Sequence, residues 1–109
     1  MTNYQSGARI ERLAIALLRR NGYYTCRSAG SKGAFDVLTW NATDGRDMRC
    51  IQCKKAGSFD KSDFEKMEAV AVPVGAVREL WSWDGSGDWQ AICYDDETHQ
   101  WMSRIGVEL

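Results

Sequence analysis

The chain has 109 residues, 44% of them apolar, and 14 Lys+Arg against 15 Asp+Glu. That length accommodates one domain, 1–109, with a core of its own. The longest unbroken apolar run is the six-residue Leu13–Leu18, against the ~20 residues of a membrane span, and Met1–Gly7 lacks the apolar stretch of a signal peptide. The expectation is an intracellular, cytoplasmic protein with free thiols and no membrane partner.

The near-zero net charge conceals an asymmetry. Residues 1–55 hold ten Lys/Arg and four Asp/Glu, whereas residues 56–109 hold four Lys/Arg and eleven Asp/Glu. The first half is therefore strongly basic and the second strongly acidic, which points to a polyanion partner for the first half.

In chain order, Gly7–Asn21 predicts a helix. Ile10, Leu13, Ala14, Leu17 and Leu18 recur at helical spacing, and Asn21-Gly22 supplies a stop. Tyr23–Ser28 is a short aromatic strand, Ala29–Gly33 a glycine-rich loop, and Phe35–Trp40 a second strand. Asp44-Gly45 marks a hairpin turn within Asn41–Asp47, and Met48–Lys55 is the returning strand. Ser62 and Glu65 have capping-box spacing. They open a helix expected to run to about Val72, with Pro73 beyond. Glu79–Trp83 and Trp89–Tyr94 are strands about a Gly85-Ser86-Gly87 turn, and Trp101–Val107 reads as an edge strand. The order α-β-β-β-α-β-β, with one further strand, is that of an α/β fold with a mixed sheet flanked by helices.

Some apparent chemistry is excluded. Cys50 and Cys53 form C-x-x-C, but on a strand side chains three apart point to opposite faces, so they cannot share a zinc ion. His99, the one histidine, lies in a polar stretch and reads as a surface residue.

Three features carry more weight. On a helical wheel, with Glu11 at zero, Ile15 falls at about +40°, Leu18 at about −20° and Ala14 at about −60°. Arg9, Arg12, Arg19 and Arg20 occupy the opposite sector. Glu11 therefore lies inside the apolar arc and needs a partner, which a nearby lysine or a chemical role would supply. Asp36 opens an apolar strand just after a glycine-rich loop, where it either caps the loop or faces a ligand. Gln52 and Lys54 share one face of the returning strand, which antiparallel pairing sets beside Asp36.

In this order the features resemble the PD-(D/E)XK nuclease superfamily, and most closely the archaeal-type Holliday junction resolvases, which are also found in viruses. The resemblance rests on Gly7-Ala8-Arg9-Ile10-Glu11-Arg12, Gly22-Tyr23, Arg27 to Val37 and Ile51-Gln52-Cys53-Lys54, about the first half of the chain. It implies a restriction-endonuclease-like fold and a metal-dependent, structure-selective DNA endonuclease that makes paired symmetric nicks in four-way junctions. Glu11, Asp36, Gln52 and the Cys53 carbonyl would hold Mg²⁺ or Mn²⁺, and Lys54 would serve the attacking water. Ser28 or Ser31 matches the family's functional serine. Arg9, Arg12, Arg19, Arg20, Arg27, Lys32 and Lys55 would contact branched DNA. The family usually has Glu or Asp where this chain has Gln52, which leaves open another duplex- or flap-nicking nuclease, or a catalytically degenerate DNA-binding module.

One chain offers one site, so paired nicks imply a C₂ homodimer. Trp81, Trp83, Trp89 and Trp101, in the acidic half, supply either its interface or monomer packing.

Overall fold

A computed structural model describes residues 3–28, 33–107 and 109 of the chain. Its order is α1 (Asn3–Arg20), β1 (Tyr23–Arg27), β2 (Val37–Asn41), β3 (Arg49–Lys55), α2 (Lys61–Glu68), β4 (Val77–Trp83), β5 (Trp89–Asp95) and β6 (Gln100–Ile105). The six strands form one sheet in sequence order, β1-β2-β3-β4-β5-β6. Every neighbouring pair is antiparallel except β3 and β4, which run parallel. A parallel pair needs a crossover, and α2 lies in it.

The fold is the expected α/β mixed sheet, with the further strand present as β6. α1 starts four residues before the expected Gly7, because its first turn is polar and carries no apolar period. It ends as expected: Gly22 adopts φ 84° and its N–H reaches the Arg19 carbonyl at 3.2 Å, a backbone state that glycine takes without strain.

α2 departs from expectation at both ends. Its N-cap is Asp60 rather than Ser62, and the reciprocal partner is Asp63 rather than Glu65. The Asp60 carboxylate accepts from the Ser62 N–H at 2.9 Å, while the Asp63 carboxylate accepts from the Asp60 N–H at 2.9 Å. Two overlapping boxes were available, and this one sets Asp63 and Met67 on the buried side. The helix stops at Glu68 rather than Val72. Arg78 from β4 takes the C-terminal carbonyls, donating to Met67 O at 2.9 Å and to Val70 O at 2.8 Å.

The core against α1 comprises Ile10, Ala14 and Leu18 on Tyr23, Val37, Ile51, Cys53, Trp81, Ala91 and Cys93. The opposite face carries Cys50 and Leu80, both buried, as is Met67 of α2. β3 and β4 are covered on both faces and so read as nearly continuous buried runs. Buried Glu79 ties the central strands: it accepts from Trp81 Nε1 at 2.9 Å and from Cys93 Sγ at 3.3 Å, and pairs with Arg49 at 3.5 Å. Burial and the adjacent Glu79 charge push the Cys93 thiol up to about 12, so it packs as a neutral donor.

The tryptophans mostly pack within the chain. Trp81 is fully buried against Trp89, Trp83 and Trp89 are half-buried against the core, and Trp101 rests on Phe64 of α2. All four cysteines are free. His99 is exposed. Among the described residues, no helix is long and apolar enough to cross a membrane.

Candidate active site around Asp36

Asp36 stands immediately before β2. Its backbone is fixed from both sides: the Ser28 N–H donates to its carbonyl at 2.8 Å, and its own N–H donates to Ile51 O at 2.8 Å. The side chain turns back across β3, and its Oδ2 accepts from the Cys53 N–H at 2.8 Å. Burial pushes the Asp36 carboxyl up to about 6; the Cys53 N–H opposes this, Glu11 raises it further, and Lys54 lowers it. Glu11 of α1 and Lys54 of β3 are thus both near enough to Asp36, at the β2 entry, for their charges to act on it.

Glu11 does find a partner, though not a lysine. Arg27 at the end of β1 donates through Nε to Glu11 Oε2 at 2.8 Å. The Glu11 side chain is 12% exposed and that of Arg27 is 45% exposed, so the pair bridges from the core edge to solvent. One face of Arg27 thus remains available while its charge restrains the Glu11 carboxylate.

Gln52 is buried at 7% exposure. Its Oε1 is the buried side-chain oxygen or nitrogen without a hydrogen-bond partner among the described residues. A buried carbonyl oxygen left unmatched costs free energy of about 1–3 kcal/mol, and such groups mark places where a further atom belongs. Gln52 alternates onto the sheet face of Lys54. Lys54 Nζ lies 3.5 Å from Asp63 Oδ1 on α2. Burial, with Asp36 and Glu11 nearby, holds the Cys53 thiol well above its usual range. It is no thiolate ligand, and its contribution to the site is the backbone.

Other expected site residues are placed as follows. Ser28 is exposed, and its backbone N–H is the one that holds Asp36. Ser31 and Lys32 lie outside the described residues. Arg9 sits over the Trp83 ring at 5.5 Å, and Arg19 Nε donates to Thr25 Oγ1 at 3.1 Å. Arg12, Arg20 and Lys55 are exposed. Sequence reasoning missed Asp63, whose signal was the Asp60-x-x-Asp63 spacing two residues ahead of the chosen cap. It also missed the pairing of Arg27 with Glu11, which depends on α1 packing over β1.

Among the described residues, no three His, Cys, Asp or Glu side chains form a metal-holding group. The neighbouring donors are two carboxylates, hard oxygen ligands suited to Mg²⁺ or Mn²⁺; Gln52, whose amide oxygen lacks a partner, follows Ile51 on the strand paired with β2. An Asp whose burial disfavours its own charge gains from a cation. On these grounds the residues fit a divalent ion held by Glu11 and Asp36, with Gln52 Oε1 as a neutral third donor.

A mixed sheet with α1 against one face and a β3-α2-β4 crossover together make an α/β, restriction-endonuclease-like fold. The solved structure of Hjc from Archaeoglobus fulgidus, a Holliday junction resolvase from an archaeal hyperthermophile, superposes with a TM-score of 0.66 at 18% identity, covering 95% of this chain and 92% of that one. The likeness therefore extends through the acidic half, beyond the stretch that carried the sequence resemblance. No family model matches the sequence, and no curated protein does.

Proposed function

We propose that this chain is a metal-dependent, structure-selective DNA endonuclease that resolves four-way junctions. The observation that carries the reading is the nearness of Glu11 and Lys54 to Asp36 at one end of the β2–β3 pair, in the fold of an archaeal resolvase. A divalent ion at Glu11 and Asp36, with Gln52 Oε1 and the Cys53 carbonyl as further donors, would supply a water of lowered pKa and charge neutralisation at the scissile phosphate.

The chain's own residues do the rest. The Cys53 N–H and the backbone bonds of Asp36 hold its carboxylate in one orientation. Arg27 fixes Glu11 from the solvent side. Lys54, as an ammonium donor, orients the attacking water and stabilises the negative charge that grows on the phosphate oxygens. Arg12, Arg20, Lys55 and the outer face of Arg27 contact backbone phosphates, with Arg9 and Arg19 on the flanks, and Lys32 is a further candidate phosphate contact. Ser28 or Ser31 is the functional serine that the resemblance implies. Two nicks on opposed strands need two such sites, hence a C₂ homodimer on branched DNA, working inside a cell.

The test is a synthetic four-way junction incubated with the protein in Mg²⁺ and in Mn²⁺, resolved on a denaturing gel. Paired symmetric nicks that vanish in Asp36→Asn support the reading. Cutting of linear duplex or flaps in preference to junctions would reassign the substrate. Because Gln52 replaces an acid, binding without cleavage in either metal would make the chain a DNA-binding module.

A further inference from the structure

We infer that Asp63 of α2 is the positioning residue for Lys54. The inference rests on the nuclease reading above and adds a residue to it.

Two carboxylates act on Lys54. Asp63 Oδ1 lies 3.5 Å from its Nζ, on the helix side, and the Asp36 carboxyl feels its charge. The two oxygens of Asp63 are divided between separate tasks. Oδ2 accepts from the Asp60 N–H at 2.9 Å and closes the capping box, while Oδ1 addresses Lys54 Nζ.

That division fixes the geometry. Asp63 is 7% exposed and its side chain is bonded to the backbone of its own helix, so it has one orientation. Its charge sits at the third position of α2, where the aligned peptide dipoles favour an anion. Lysine is the opposite case, a compact charge on a flexible four-carbon stem. With its side chain 33% exposed, Lys54 would swing between Asp36 and solvent if nothing held it from the other side. Asp63 holds the ammonium beside the Asp36 cluster. The helix that supplies the β3–β4 crossover therefore also sets the offset of Lys54, and a shift of about 1 Å in such a group can cost up to about a hundredfold in rate.

Asp63→Asn keeps the acceptor oxygen that closes the cap and removes the charge that holds Lys54. The experiment compares full-length wild type, Asp63→Asn, Asp63→Glu and Met67→Ala on a four-way junction in Mg²⁺, with single-turnover rate, junction affinity and Tm measured for each. Asp63→Asn is expected to lose about tenfold or more in rate, with junction affinity and Tm close to wild type. Asp63→Glu restores the charge and is expected to recover most of the rate. Met67→Ala loosens α2 by lost packing without touching Lys54. It should lower Tm more than Asp63→Asn does, yet keep its rate at temperatures where it is folded.

A rate for Asp63→Asn within about twofold of wild type overturns the inference, as does equal loss in Asn and Glu variants, or loss that tracks affinity or Tm. A wild type that cuts junctions while Asp63→Asn cuts them equally well overturns only the role of Asp63. A wild type that cuts no junction overturns the nuclease reading and this role together.

Discussion

Replacing Asp36 with Asn should stabilise the metal-free protein while removing its activity. Burial carries the Asp36 carboxyl from 3.8 to about 6. Each pKa unit is worth about 1.4 kcal/mol, so the charged form costs at most ~3 kcal/mol of folding stability. Partial solvent access reduces this to ~1–2 kcal/mol. A raised carboxyl pKa means that the folded state binds the proton more tightly than the unfolded state. The associated stabilisation is complete below pH 3.8 and is lost as pH rises to about 6. Above that the cost is fully expressed and constant.

Asn carries no charge, and its Oδ1 can still accept from the Cys53 N–H. At pH 8 without divalent ions, Asp36→Asn should therefore melt about 5–10 °C above wild type, using the usual slope for a domain of ~100 residues. The wild-type minus variant difference in ΔG should shrink from pH 6 towards pH 4, an isolating measurement because every other titrating group is shared. Mg²⁺ should reverse the order. Wild type gains about 2.7 kcal/mol at a hundredfold excess over Kd, and the variant gains little. Urea unfolding over pH 4–8, with and without Mg²⁺, measures all three effects. An Asp36→Asn protein less stable than wild type at pH 8 without metal, or one stabilised equally by Mg²⁺, would refute the reasoning.

Three further outcomes follow from the same geometry. Gln52→Glu should lower the Tm of the metal-free protein, because a third carboxylate joins a buried pair, and should tighten Mg²⁺ binding about tenfold by calorimetry; no change in either would take Gln52 out of the site. Met67→Ala, emptying a fully buried position on α2, should cost ~2–5 kcal/mol in urea unfolding, and a cost below ~1 kcal/mol would mean that α2 is not docked through Met67. Junction affinity should fall with rising salt, and Arg12→Gln or Arg20→Gln should each flatten the log–log slope by about 0.9, whereas unchanged slopes would move the DNA to another face.

The parts of the site that could be read in the sequence are those set by local periodicity. Helical phase alone put Glu11 in the apolar arc, and strand alternation alone put Gln52 and Lys54 on one face. The hairpin signal at Asp44-Gly45 then brought Asp36 alongside, and the register Val37 to Ile51 fulfils it. What could not be read depends on packing between elements. Arg27 is an unremarkable strand-end cation until α1 crosses β1 and sets Glu11 against it. Asp63 was hidden by a competition between two capping boxes of similar quality. Local chemistry offers both Ser62 and Asp60 as caps, and burial of Met67 and Asp63 decides between them. The tryptophans posed the same difficulty, since aromatic content is equal evidence for a core and for an interface until the sheet closes over Trp81.

The site is also marked by where the molecule tolerates cost. Elsewhere among the described residues, buried polar groups are matched: Glu79 has Trp81, Cys93 and Arg49, and Thr39 donates to Tyr24 O at 2.8 Å. Around Asp36, two carboxylates adjoin, burial disfavours the charge of one of them, and the Gln52 oxygen on the neighbouring strand goes without a partner. Local inconsistencies gathered at one place are expected of a functional site rather than a structural one. They also give a physical sense to the amide at position 52. With Asp36 already titrating near 6 beside Glu11, a third acid would press the cluster further towards neutrality. On the proposed reading, an amide oxygen would offer a ligand atom without that repulsion and would leave the metal-free chain closer to stable at neutral pH.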